Sequence, residues 1–90
     1  MVSLEMRLGM ESKSLKSARK GQTFRILDVK SGHPLSNRLL ELGFHAGESV
    51  TVVHEAPVSG DPIVLEVSET RLALRRSEAA LILVDESMSS

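Results

Sequence analysis

Short stretches of alternating apolar and polar residues run along the 90-residue chain, and glycines and prolines separate them. Alternation with a period of two is typical of β-strands that bury one face. On this basis, five short strands are predicted: within residues 22–31, 50–55 and 63–67, around Leu72 and Leu74, and around Ile82 and Val84. In the first strand, Ile26 and Val29 break the alternation, which predicts a β-bulge between them. Short strands with turns every roughly 8 to 12 residues predict a mainly β chain, folded as a small closed barrel or sandwich.

One helix interrupts the strands and is predicted over residues 34–42, directly after the first strand. Three leucines at i, i+4 and i+7 form its apolar stripe: Leu35, Leu39 and Leu42. Pro34 suits the first helical position, where its missing N–H is not needed. Gly43 follows the last turn, where a residue with left-handed backbone geometry usually ends a helix. A second, single helical turn is predicted from Ser77, whose side chain would cap it.

The start of the chain also alternates, with apolar side chains at every second position from residue 2 to residue 10. This pattern predicts either an additional strand with one apolar face or a flexible tail in which the alternation is accidental. We therefore expect one domain over residues 14–85, preceded by an N-terminal extension over residues 1–13. Residues 86–90 are expected to form a disordered tail.

The composition excludes several function classes. The chain has no cysteine, which removes disulfides, thiolate metal sites and thiol nucleophiles. Two phenylalanines are its only aromatic residues, so it lacks the rings on which single-stranded nucleic acids stack. Its net charge is −1, with +3 in residues 1–20 and −4 in residues 21–90. This balance does not favour a polyanionic partner, and no nucleic acid is expected.

The expected localisation is cytoplasmic, without membrane insertion. No apolar run approaches the roughly 20 residues that span a bilayer. The first residues lack the charged start and unbroken apolar stretch of a signal peptide.

The stretch APVSGDP, residues 56–62, contains the only arrangement that suggests a nucleophile. A nucleophilic Ser59 would need a base and an orienting acid nearby, and Asp61 is close in sequence. A hydrolase that uses Ser59 or a carboxylate pair is therefore the low-ranked enzymatic alternative. The residue types favour a structural turn instead. Gly60 permits positive φ, and Pro62 suits the start of a strand because it cannot donate to a sheet ladder.

Metal ligation rests on weak candidates. The three histidines show no HxH or HxxxH spacing. A site for a divalent cation such as Fe²⁺ would have to bring together His54, Asp61 and Glu41, which the sequence does not place near one another. His54 shares the parity of Val50 and Val52, which predicts that its side chain is partly buried. No cofactor is expected, and Fe²⁺ binding remains an alternative supported only by the preference of ferrous iron for nitrogen and oxygen ligands.

Apolar residues on the expected outer side of the barrel indicate a contact surface. If Ile63, Leu65, Ile82 and Val84 fill the interior, four other apolar side chains point outward: Val53, Val64, Leu81 and Leu83. Two occupants remain open, the N-terminal strand of the same chain or another protein, and strand exchange in a homodimer would combine them. Arg71, Arg75 and Arg76 form either a solvated rim or a contact for an acidic partner, and Arg71 joins the predicted surface.

Residues 38–84, RLLELGFHAGESVTVVHEAPVSGDPIVLEVSETRLALRRSEAALILV, resemble the FeoA family of small cytosolic proteins associated with bacterial ferrous-iron uptake. The resemblance extends over about residues 14–85 and rests on the order and spacing of short motifs. The matching residues are Leu39, Leu42, Gly43, Gly47, Val50, Val52, Ala56, Pro57, Gly60, Asp61, Pro62, Ala73, Leu74, Arg75, Glu78, Ala79, Ile82 and Val84. Ala46 departs from the family, which commonly has proline at that position.

The resemblance implies an SH3-like barrel that contacts and modulates FeoB, a membrane iron transporter with a cytosolic G-protein domain, rather than catalysing a reaction. It implies no catalytic residue and no required metal. Recognition of proline-rich peptides is not expected despite the SH3-like fold, because such grooves are lined with aromatic side chains and the chain has neither tyrosine nor tryptophan.

Overall fold

The computed structural model describes residues 13–85. Six strands form within this range: β1 Lys13–Ser14, β2 Thr23–Val29, β3 Ser49–Glu55, β4 Ile63–Val67, β5 Thr70–Leu74 and β6 Ile82–Asp85. Two α-helices accompany them, α1 Ser36–Glu41 and α2 Arg76–Ala79, together with a 3₁₀ turn at Leu15–Ser17. The predicted strand over residues 2–10, the tail over residues 86–90 and the homodimer that the N-terminal strand would form lie outside the described residues.

All six strands belong to one antiparallel sheet in the order β1-β6-β2-β3-β4-β5. The mainly β prediction is confirmed, with one strand more than expected because β1 pairs with the edge of β6. The predicted bulge in β2 is also confirmed, as the register with β6 shifts between Ile26 and Asp28. A second shift, between Val52 and His54 in β3, was not predicted.

The core lies on the inner side of the curved sheet and is built almost entirely from aliphatic side chains. Both phenylalanines are fully buried in it, and Ile63, Leu65, Ile82 and Val84 fill the interior as predicted. The other buried apolar residues are Leu15, Ala18, Ile26, Val29, Leu39, Val50, Val52, Val67, Leu74 and Ala79. Buried positions alternate with less buried ones in β3 and β4, which leaves an outer sheet surface that faces away from the core.

Helix α1 is shorter than predicted because the residues before it form a turn. The Ser36 hydroxyl donates to the Lys30 carbonyl at 2.6 Å, and the Leu35 N–H donates to His33 Nδ1 at 3.0 Å. These bonds hold Pro34 and Leu35 outside the helix, which begins at Ser36. The helix ends at Glu41, one residue earlier than predicted, and the predicted positive φ of Gly43 is confirmed at +111°.

Helix α2 begins differently from the prediction. Ser77 lies inside the helix and is exposed, so its predicted capping role is wrong. Two carboxylates satisfy the first N–H groups instead: Glu78 Oε1 accepts from Arg75 N, and Asp61 Oδ1 accepts from Arg76 N, both at 2.9 Å. The start of α2 is thereby tied to the β3–β4 loop. Neither helix, nor any other within residues 13–85, is long and apolar enough to cross a membrane.

Candidate interaction surfaces

Arg76 occupies the junction of three chain segments at one end of the barrel. Its Nη1 donates to the carbonyl oxygens of Lys16 at 2.9 Å and Ala18 at 2.7 Å, and its Nε donates to the Gly60 carbonyl at 2.9 Å. Its Nη2 lies 3.5 Å from Glu55 Oε1, and its side chain is only 19% exposed. The interpretation of Arg76 as part of a solvated rim is therefore wrong, because its guanidinium is engaged inside the fold.

Glu55 ends β3 beside Arg76 and accepts hydrogen bonds from two further donors. Arg19 Nε donates to Glu55 Oε2 at 3.0 Å, and the Lys20 N–H donates to the same oxygen at 2.6 Å. The hydrogen bond from Arg19 lowers the pKa of Glu55, and the Lys20 N–H lowers it further. The hydrogen bond to Glu55, together with the negative charge of its carboxylate, raises the pKa of Arg19. Glu55 is consequently ionised at neutral pH, and each of its carboxylate oxygens faces a cationic group.

These residues surround an open cleft with a volume of about 510 Å³, which we call the basic cleft. It is lined by Lys16, Ser17, Arg19, Glu55, Ala56, Pro57, Ser59, Gly60 and Arg76. Arg19 extends into solvent, with 71% of its side chain exposed. The cleft thus combines a floor that is hydrogen-bonded to the rest of the fold with an exposed cationic wall.

The β3–β4 loop forms the opposite wall and contains the stretch that suggested a nucleophile. Gly60 has φ +71°, as predicted, and Ser59 also has positive φ, at +66°. Pro62 lies directly before β4, and Asp61 is bonded to the start of α2. The arrangement therefore agrees with the interpretation of residues 56–62 as a turn.

A second exposed region lies on the outer side of β3, β4 and β5. Cross-strand pairing places two rows on this side, which we call the outer sheet face: Thr51, Glu66 and Arg71 in one row, and His54, Val64 and Ala73 in the other. Arg71 Nε lies 3.4 Å from Glu66 Oε2, and their side chains are 65% and 36% exposed. This surface is mixed in polarity and leaves Arg71 accessible.

The predicted contact residues do not form one continuous strip along the sheet. Val64 and Arg71 lie on the outer sheet face, with half-buried Val53 at the bulge beside it. Leu83 lies on β6, which β2 and β3 separate from β4. The expectation that Leu81 points outward is wrong: it precedes β6, is half-buried and packs against the core.

The metal candidates are not brought together. Within residues 13–85, no group of three His, Asp or Glu side chains is arranged to hold a metal ion, so His54, Asp61 and Glu41 do not form a joint site. His54 is exposed rather than partly buried, because the bulge after Val52 pairs it with Val64 on the outer sheet face. Glu41 is exposed at the end of α1.

The basic cleft was not predicted from the sequence. Its components come from residues 16–19, 55–60 and 76, and only the folded chain brings them together. One sequence signal was present: the acidic residue at the end of β3 and the arginine before the SEAA turn are both close to predicted turns. Nothing in their spacing indicates that they pair.

The sheet topology and the aliphatic core define the chain as a small SH3-like barrel. Its accessible regions described above are the basic cleft and the outer sheet face. The family model of the FeoA domain matches residues 13–86. The chain belongs to the FeoA family.

Similar proteins agree with this assignment. The zinc-complexed FeoA of Stenotrophomonas maltophilia, an SH3 domain protein, superposes with a TM-score of 0.78 at 35% identity, covering 86% of this chain and 94% of that one. A FeoA-like protein of Clostridium acetobutylicum has a TM-score of 0.74 at 25% identity, covering 83% and 86%. A Fe(2+) transport protein A/Fe(2+) transporter FeoB fusion protein of Porphyromonas gingivalis is 37% identical over 60 residues, which are 67% of this chain and 7% of that protein.

Proposed function

We propose that the chain is a non-enzymatic, cytoplasmic accessory module that regulates ferrous iron transport by contacting a FeoB-type transporter. The observation that carries this proposal is the fusion protein of P. gingivalis, in which a segment similar to this chain is joined to the transporter FeoB. Covalent joining keeps two modules at high effective concentration, which is useful when they act in contact. We therefore expect the domain to present a surface that makes this contact.

The roles of the family motif residues support a contact module. Gly43 ends α1 with positive φ, and Gly60 and Asp61 hold Arg76 in place. Leu39 and Leu74 are buried in the core. These residues maintain the barrel, so the accessible surfaces are left to carry the interaction. The basic cleft and the outer sheet face are the two regions that we propose for it.

Calorimetric titration of the full chain with the cytosolic G-protein domain of a FeoB-type transporter tests the proposal. We expect saturable binding in at least one nucleotide state, GDP-bound, GTP-analogue-bound or nucleotide-free. An absence of binding in all three states at high micromolar concentration would contradict the proposed contact. An unrelated G-protein domain serves as the control and should not bind.

Direct binding of a divalent metal is the second candidate, favoured by the zinc complex of the S. maltophilia relative. The exposed imidazole of His54 is one side chain able to contribute a nitrogen ligand here. Anaerobic calorimetry with Fe(II), Mn(II) and Zn(II) tests this function. Affinity that His54→Ala abolishes would support it, whereas affinity unaffected by the substitution would remove the candidate ligand.

A further inference from the structure

We propose that the basic cleft binds carboxylate side chains of an acidic peptide segment in the protein partner. This inference rests on the proposed function, because it assigns the contact with the partner to one of the two accessible regions. It also defines the chemistry that the partner must supply, namely two or more closely spaced aspartates or glutamates in an exposed segment.

The charge of the cleft is the first argument. Three cationic side chains and one ionised carboxylate line it, so three positive charges and one negative charge leave a surplus of two. The whole chain has a net charge of −1. Asp61 is close by, but its carboxylate is bonded to the Arg76 N–H and does not line the cleft. Positive charge is therefore concentrated in the cleft at one end of the barrel, although the chain is slightly acidic overall. This concentration attracts an anionic group to the cleft.

The hydrogen-bonding capacity of the cleft is the second argument. Arg76 is committed to three backbone carbonyls and to Glu55, so it forms the floor and has little capacity for a ligand. Arg19 differs, because only its Nε is engaged, and within residues 13–85 its two Nη atoms donate no hydrogen bond. A guanidinium edge of this kind matches a carboxylate, and exposed Lys16 adds a point charge on the same wall.

The same features disfavour phosphate groups and nucleic acids as ligands of the cleft. A phosphate dianion would lie near the ionised carboxylate of Glu55, which would repel it more strongly than it repels a monoanionic carboxylate. A nucleic acid would also meet the net negative charge of the remaining chain. Single carboxylates spaced along a peptide can instead contact Arg19 and Lys16 separately.

The test uses a fluorescein-labelled peptide that carries four glutamates, with a peptide of identical length carrying four glutamines as the ligand control. Fluorescence anisotropy is recorded with the full chain at low and high ionic strength. We expect the glutamate peptide to bind, the glutamine peptide not to bind, and affinity to fall as salt is raised. Equal binding of both peptides, or of neither, would overturn the inference.

Variants locate the binding. Lys16→Gln and Arg19→Gln should each lower the affinity for the glutamate peptide by roughly three- to fivefold. Arg71→Gln is the matched control, since Arg71 is also an exposed arginine whose Nε lies near a glutamate, but on the outer sheet face. Lys16→Gln leaves the Arg19–Glu55 pair intact, so a loss of affinity in this variant cannot be attributed to a disturbed cleft. Equal weakening by Arg71→Gln, or full competition by millimolar inorganic phosphate, would contradict the assignment.

The two proposals fail in different ways. If the transporter domain binds with an affinity that Lys16→Gln and Arg19→Gln leave unchanged, the cleft inference is wrong and the proposed function stands. If the glutamate peptide binds the cleft but no transporter domain binds in any nucleotide state, the cleft chemistry stands and the proposed function is wrong.

Discussion

The basic cleft and the outer sheet face each contain an arginine beside a glutamate, yet the two pairs are very different. In the cleft, Arg76 and Glu55 are 19% and 14% exposed, and backbone groups from two other segments bond to them. On the outer sheet face, Arg71 and Glu66 are 65% and 36% exposed and contact each other at 3.4 Å. An arginine–glutamate pair therefore stabilises the fold in the basic cleft, whereas on the outer sheet face the same kind of pair lies exposed on the surface.

Hydrogen bonding to backbone carbonyl groups explains this difference. A buried carbonyl without a donor costs roughly 1–3 kcal/mol, and Arg76 supplies donors to Lys16, Ala18 and Gly60 together. An exposed ion pair adds little, since water solvates both partners and salt screens them. Arg76 thus acts as a structural crosslink between the 3₁₀ segment, the β3–β4 loop and α2, whereas Arg71 remains available to a partner.

The largest expected effect is the difference in stability between two variants, each of which lacks one guanidinium group. Arg76→Met should lower the free energy of unfolding by about 3 kcal/mol, because it removes charged donors from partly buried acceptors. Arg71→Met should change it by about 0.5 kcal/mol or less. Urea unfolding followed by circular dichroism measures both. Similar losses in the two variants would remove the distinction between the regions.

A smaller effect is expected from the pH dependence of Glu55. Because its pKa is lowered in the folded chain, Glu55 stabilises the fold at pH values above its unfolded pKa of about 4.3. That contribution is lost as the pH falls through the lower, folded pKa. The stability difference between the parent chain and Glu55→Gln should therefore be constant from pH 7 to pH 5 and shrink below about pH 4.

Chemical denaturation at several pH values measures this difference. Glu66→Gln is the matched control and should lower stability less than Glu55→Gln at pH 7, since its carboxylate contacts one exposed arginine. A difference for Glu55→Gln that stays the same at pH 3 and pH 7 would show that the carboxylate charge does not contribute.

The smallest expected effect is a difference in how strongly salt weakens the coupling energies of the two pairs. A double-mutant cycle on Arg71 and Glu66 should give a coupling of about 0.5 kcal/mol at low salt that falls close to zero in 1 M NaCl. The corresponding cycle on Arg76 and Glu55 should retain most of its coupling, because water and ions have less access to that pair. Parallel loss of both couplings would mean that the cleft is as solvated as the outer sheet face.

Local patterns predicted most of the barrel. Alternation identified β4, whose predicted bounds match, and the left-handed Gly43 marked the end of α1. These features depend on neighbouring residues, so a single sequence contains the information. The start of α1 was misplaced because the His33 and Ser36 side chains form bonds that compete with the helix.

The surfaces were predicted less well because they depend on contacts between distant segments. The bulge in β3 reverses the expected side of His54, so a count of alternating positions fails there. Arg76 looked like its exposed neighbours in RLALRRSE, although its hydrogen bonds reach residues about sixty positions earlier in the chain. The basic cleft could not be assembled from spacing alone for the same reason.

The central claim is that an accessible surface of the barrel, rather than a reactive site, carries the function through contact with a FeoB-type transporter. Nuclear magnetic resonance titration of the ¹⁵N-labelled full chain with the transporter's cytosolic domain tests it most directly. We predict shift changes that concentrate around the basic cleft or the outer sheet face, while the amides of buried core residues such as Phe24 and Ile63 remain nearly unchanged. Spectra that stay identical in every nucleotide state would contradict the account.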